Sequence, residues 1–202
     1  PSFREIAIKH ADTTMKNAFR EDYSCYHVVD YDPETGEVLK KQTAQGYADE
    51  SAWARGQAWA LYGYVLCYRY TGEVKYLEQA QKIHQFIFTH PNLPADLIPY
   101  WDYNAPNIPN EPRDVSAAAC TASALYEMHT YLPEGGYKAT ADKILETLST
   151  PAYRAKVGEN GNFILMHSVG SIPHGAEIDV PLNYADYYFL EALIRKRDLE
   201  AH

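Results

Sequence analysis

The feature that most constrains this chain is an alternation between two kinds of helical segment. Phe3, Ile6, Ala7, His10, Ala11 and Thr14 fall on one stripe at helical spacing. Val74, Leu77, Ala80, Ile83 and Ile87 form a second stripe, and Tyr137, Ala141, Ile144, Leu145 and Leu148 a third. These three segments carry charges on their other faces, as amphipathic helices with a wet side do. Three other segments, Ser51–Tyr68, Ser116–Tyr126 and Tyr184–Ile194, are apolar or small almost all round, with Asp186 and Glu191 as exceptions in the last. A helix greasy on every side has to be buried on every side.

The order is therefore outer (3–17), inner (51–70), outer (73–90), inner (115–132), outer (137–150) and inner (184–196). The inner segments start at 51, 116 and 184, spaced by 65 and 68 residues. Loops before inner segments are long; those after them, Thr71-Gly72 and Pro133-Glu134-Gly135-Gly136, are short. Such a period is the mark of a helical-hairpin repeat. Hairpins with an inner and an outer member curl into an α/α toroid, so the expected fold class is all-α, with three inner helices making half of a six-hairpin ring. A β-hairpin is expected in one long loop, where Tyr26–Tyr31 and Glu37–Lys40 flank the turn Asp32-Pro33-Glu34-Thr35-Gly36. Phe163–Val169 reads as a further short strand.

Composition narrows the function classes. With 46% hydrophobic and 22% charged residues among 202, the chain can bury a full core, which excludes disorder and low complexity. The net charge of −9 leaves no electrostatic footprint for nucleic acid. The least charged stretch, Ser51–Tyr68, contains Arg55 and several polar groups and is a poor membrane span. Eighteen tyrosines offer flat apolar faces with polar rims, suited to core packing and to sugar rings alike. Cys25, Cys67 and Cys120 are odd in number and widely spaced, which implies neither a disulfide framework nor a zinc site and leaves the compartment open.

The candidate site residues cluster before or within the inner helices. Tyr47-Ala48-Asp49 precedes the first, Arg113-Asp114 the second, and Tyr184-Ala185-Asp186 opens the third. Each supplies a candidate N-cap, and three N-termini at one mouth favour an anion. Arg55 is the only charge between Ser51 and Tyr68. A buried guanidinium needs either an internal carboxylate or a ligand carboxylate in a bidentate fork, and its place near the mouth favours the ligand. Trp59 lies four residues on, so the two are expected on one helix face as a clamp for a sugar acid, the alternative being a cation–π packing pair. His27 in the hairpin is either structural or a group that changes charge near neutrality. Gln45 precedes the first mouth and is a candidate for sugar hydroxyls or for the loop backbone. Asp102 and Asp114 are a candidate glycosidase carboxylate pair. Asp30-Tyr31-Asp32-Pro33-Glu34 fails as a calcium loop, with Lys41 where the closing glutamate belongs.

Four stretches then carry a resemblance. Ser24-Cys-Tyr-His27-Val-Val-Asp-Tyr-Asp-Pro-Glu-Thr-Gly36, Gln45-Gly-Tyr-Ala-Asp-Glu-Ser-Ala-Trp-Ala-Arg-Gly-Gln-Ala-Trp59, Arg113-Asp-Val-Ser-Ala-Ala-Ala119 and Val180-Pro-Leu-Asn-Tyr-Ala-Asp-Tyr-Tyr-Phe-Leu-Glu-Ala192 resemble glycoside hydrolase family 88, the unsaturated glucuronyl hydrolases. The resemblance implies a six-hairpin α/α barrel about twice this length, with residues 1–202 as the C-terminal half of one catalytic domain. It implies action on oligosaccharides whose non-reducing end is a 4,5-unsaturated uronic acid. A carboxylic acid protonates C4 of the vinyl ether, water adds at C5, and the hemiketal opens. No metal or other cofactor is implied. By motif, Gln45, Arg55, Trp59 and Tyr184 correspond to substrate-site residues and His27 to one supporting the acid. The family's essential Asp lies upstream of Pro1, so the chain alone is expected to be nearly inactive, and to need a partner half or to dimerise. Two other classes stay open: a lyase or inverting glycosidase on the same toroid, and a non-catalytic sugar-binding module.

Overall fold

The computed structural model describes residues 2–201. Six helices carry the fold: α1 (Phe3–Asn17), α2 (Ala54–Thr71), α3 (Val74–Thr89), α4 (Val115–Tyr131), α5 (Tyr137–Leu148) and α6 (Asn183–Glu200). Two antiparallel hairpins occupy the long loops, β1 (Val28–Tyr31) with β2 (Val38–Gln42), and β3 (Ser168–Ser171) with β4 (Ala176–Val180).

Helix α4 is the centre. Fourteen of its 17 residues are buried, from Val115 to Met128, and it packs against α2, α5 and α6. Its run of alanines lets neighbouring backbones come close: the Cys120 thiol reaches the Ala58 carbonyl of α2 at 3.7 Å. The inner layer is therefore α2, α4 and α6, with α3 and α5 packed outside α2 and α4. The chain forms part of an α/α toroid, as the period predicts. At the short α2–α3 turn Gly72 takes φ +74°, which an L side chain rarely adopts.

Ion pairs tie the inner helices at both ends. At their C-terminal ends Glu127 of α4 meets Arg69 of α2 at 3.1 Å and Arg195 of α6 at 2.5 Å. At their N-terminal ends Arg55 of α2 meets Asp114, the N-cap of α4, at 3.0 Å. The three helices thus run in the same direction, with their N-termini at one mouth.

Three details differ from the expectation. Helix α2 starts at Ala54 rather than Ser51, because the preceding residues pair with another loop: Tyr103 N–H donates to the Ala52 carbonyl and Ala54 N–H to that of Trp101. Of the proposed caps only Asp114 caps a helix, accepting from Ser116 N–H at 3.1 Å. Asp49 accepts from Thr43 N–H inside its own loop, and Asp186 accepts from Ile164 and Leu165, bracing the segment before β3. Finally, the expected strand over 163–169 is confined to Ser168–Ser171, and its partner β4 was not expected at all.

Candidate functional site

The mouth is built around Arg55. Its side chain is 3% exposed and that of Asp114 is fully buried. Nη1 donates to Asp114 Oδ2 and to the Val169 carbonyl, and Nη2 to the Gly170 carbonyl at 2.7 Å. The guanidinium lies over Trp53 at 4.4 Å and faces Tyr184 at 5.4 Å. Between an internal and a ligand carboxylate, the geometry thus picks the internal one. Two buried charges that would each be costly alone satisfy each other. The expected clamp of Arg55 with Trp59 is likewise corrected, since Trp59 packs with Tyr188 at 5.1 Å and Tyr184 at 6.3 Å instead.

Asp102 is equally committed. It is fully buried. Its Oδ2 accepts from Tyr47 N–H at 2.9 Å and from the Ser51 hydroxyl at 2.6 Å, and its Oδ1 from Asn104 N–H at 2.8 Å. Asp102 and Asp114 are structural carboxylates, and the inverting-glycosidase pair built on them has no geometric basis.

A cleft of about 720 Å³ opens beside this cluster, between α1, the β1–β2 hairpin and α2. His27, Gln45, Trp53, Gly56 and Trp59 form its wall near the mouth, and no aspartate or glutamate among the described residues lines it. Arg55 and Tyr184 are not among its lining residues, though Arg55 packs on Trp53 at 4.4 Å and Tyr184 lies 6.3 Å from Trp59. Gln45 is fixed by its Nε2, which donates to the Gly170 carbonyl at 3.0 Å, the same oxygen that Arg55 holds. His27 stacks on Trp53 at 4.3 Å with an interplanar angle of 30°. Its Nδ1 accepts from the backbone N–H groups of Ala44 and Gln45 at 3.1 and 3.2 Å. Burial, and then the charge of Arg55, hold the imidazole below its ordinary pKa.

Sequence reasoning missed Trp53, which joins the imidazole to the guanidinium. It also missed the Val169 and Gly170 carbonyls, which no side-chain pattern can reveal. It did not single out Gly46 either, which sits at a close approach: a Cβ there would meet Thr43 Oγ1 at 2.6 Å and Asp102 Oδ2 at 3.0 Å.

The family model for Glycosyl Hydrolase Family 88 matches residues 1–197. This chain belongs to that family. Within family 88 it is 52% identical over 197 residues to the unsaturated glucuronyl hydrolase of Formosa agariphila, covering 98% of this chain and 49% of the relative. A crystal structure of an unsaturated glucuronyl hydrolase specific for heparin superposes with a TM-score of 0.95 at 53% identity, over 96% of this chain and 53% of that one. A mutant of the Streptococcus agalactiae unsaturated glucuronyl hydrolase, solved in complex with dGlcA-GalNAc6S, superposes with a TM-score of 0.82 at 37% identity, over 96% of this chain and 52% of that one. The chain spans about half the length of the curated relatives it matches.

Proposed function

We propose that this family 88 chain supplies the saccharide-holding part of an enzyme that hydrates the C4=C5 bond of an unsaturated uronic acid at the non-reducing end of an oligosaccharide. The observation that carries this reading is the cleft wall of His27, Gln45 and Trp59, aromatic and hydrogen-bonding, at a mouth where helix N-termini converge. Trp59 offers a flat face to the planar part of an unsaturated ring. Helix α2 has no side-chain cap, and Gly56 of its first turn lines the cleft, so the positive end of the dipole favours the sugar carboxylate there. His27 and Gln45 supply polar atoms for the remaining oxygens. Arg55 and Tyr184 act from behind, holding the wall in place.

Protonating C4 builds oxocarbenium character, and the proton has to come from a carboxylic acid poised against the ring. Among the described residues no carboxylic acid lines this cleft. The donor is therefore assigned to the part of the family fold that the match does not span. The test follows absorbance from the C4=C5 bond of an unsaturated disaccharide. Alone, the chain leaves it unchanged; assembled with a polypeptide corresponding to the other half of the fold, it abolishes it. Full turnover by the chain alone overturns the placement of the acid, and absence of turnover in both arrangements overturns the reaction. A lyase leaves the disaccharide unchanged and instead raises the absorbance of an intact polysaccharide whose uronic acids are still saturated. The lack of an acid favours one second reading, a saccharide-binding module, which predicts calorimetric binding with no turnover in either arrangement.

A further inference from the structure

His27 stands in an arrangement that fixes more than its position. Two main-chain N–H groups, from Ala44 and Gln45, converge on Nδ1 at 3.1 and 3.2 Å, and Thr43 Oγ1 lies 3.4 Å from the same atom. A proton on Nδ1 would face both N–H groups head on, so Nδ1 has to be the lone-pair nitrogen. The proton then sits on Nε2, which has no protein partner among the described residues, on a side chain that lines the cleft. The amides that impose this are themselves held. Thr43 N–H bonds Asp49, Gly46 N–H bonds Thr43 Oγ1 at 2.9 Å, and Tyr47 N–H bonds the buried Asp102. The ring plane is set by Trp53, which is 6% exposed, with the imidazole stacked on its indole and the Arg55 guanidinium 4.4 Å from it.

We infer that His27 serves the cleft as a neutral hydrogen-bond donor locked in the Nε2–H tautomer, and that Trp53 is the positioning residue that holds its plane. The inference rests on the reading of the cleft as a saccharide site. It assigns His27 an acceptor on the ligand, a hydroxyl or carboxylate oxygen of the sugar acid. It also removes His27 as the source of the reaction's proton, since a neutral imidazole N–H is too weak an acid to protonate an enol-ether carbon.

The test is a long-range proton–nitrogen correlation spectrum of the imidazoles in the nitrogen-15-labelled chain at neutral pH, with His27 assigned by its loss in His27→Gln. The expected spectrum shows a single tautomer, Nδ1 unprotonated and Nε2 protonated. An Nδ1–H tautomer or an averaged mixture overturns the lock. Trp53→Phe keeps a stacking face and keeps the single tautomer, whereas Trp53→Leu averages the two. An unchanged spectrum in Trp53→Leu overturns the role of the indole. The ligand side is read with an unsaturated uronic-acid disaccharide as the probe. His27→Gln, which retains an N–H donor, keeps most of the disaccharide-induced shifts at Gln45 and Trp59, and His27→Ala loses them. Equal loss in both overturns donation. If the parent chain shows the locked tautomer and no disaccharide shifts, the saccharide reading fails and takes the donor role with it, while the lock stands.

Discussion

At the scale of single residues, Arg55 and Asp114 are two charges that could not be buried one at a time. Their side chains are 3% and 0% exposed and meet at 3.0 Å. Removing either leaves the other uncompensated, which costs about 3–5 kcal/mol. Arg55→Ala and Asp114→Ala are therefore both expected to lower the unfolding free energy by amounts in this range, read as a lower denaturant midpoint. Arg55→Lys is not expected to rescue, because one ammonium cannot span the aspartate and two carbonyls. A midpoint unchanged in Arg55→Ala would return Arg55 to the ligand-binding role that its spacing suggested. Histidines set the pH response. Burial holds His84 down to about 4, from an ordinary 6.5, and lowers His27 and His90 as well. The unfolded chain therefore binds more protons than the fold below pH 6.5, so stability is full above that pH and falls as the pH drops towards 4. The thermal midpoint should fall across that window, less steeply in His84→Gln; a flat profile contradicts the burial of these rings.

At the scale of elements, the loop between β2 and α2 depends on Gly46. An added Cβ would press on Thr43, Asp102 and Trp53 at 2.6 to 3.1 Å. Gly46→Ala is expected to destabilise by about 1–3 kcal/mol and to disturb the His27 pocket, with the loss read from denaturant unfolding. An unaffected midpoint would show that the loop gives way freely. The helices were legible in the sequence because burial repeats at 3.6 residues: α4 is buried all round, and α3 and α5 on one face only. The β3–β4 hairpin was not. Ser168-Val-Gly-Ser171 lacks the large apolar residues that mark a strand. Ala176, Ile178 and Val180 do alternate with Glu177 and Asp179, but the strand is mostly exposed, and Glu177 and Asp179 both have positive φ. Arg55 was legible as a charge that needs a partner. Which partner was not, because Asp114 lies 59 residues away and only the tertiary fold brings them together.

At the scale of the whole molecule, the inner layer ends on α6, which exposes Tyr187, Leu190, Leu193 and Ile194. A contiguous apolar face of this kind is covered in stable assemblies. Sedimentation velocity of the isolated chain should show self-association that Leu190→Glu with Ile194→Glu abolishes; a monomer at all concentrations would mean that the face tolerates water. In the proposed function the wall of His27, Gln45 and Trp59 grips an unsaturated uronide while Arg55 braces it through Trp53. The most direct measurement is a titration of the labelled chain with an unsaturated uronic-acid disaccharide, followed residue by residue in amide spectra. Saturable shifts centred on His27, Gln45 and Trp59 are predicted, with a saturated disaccharide moving them less. Shifts centred elsewhere, or none at the cleft, would contradict it.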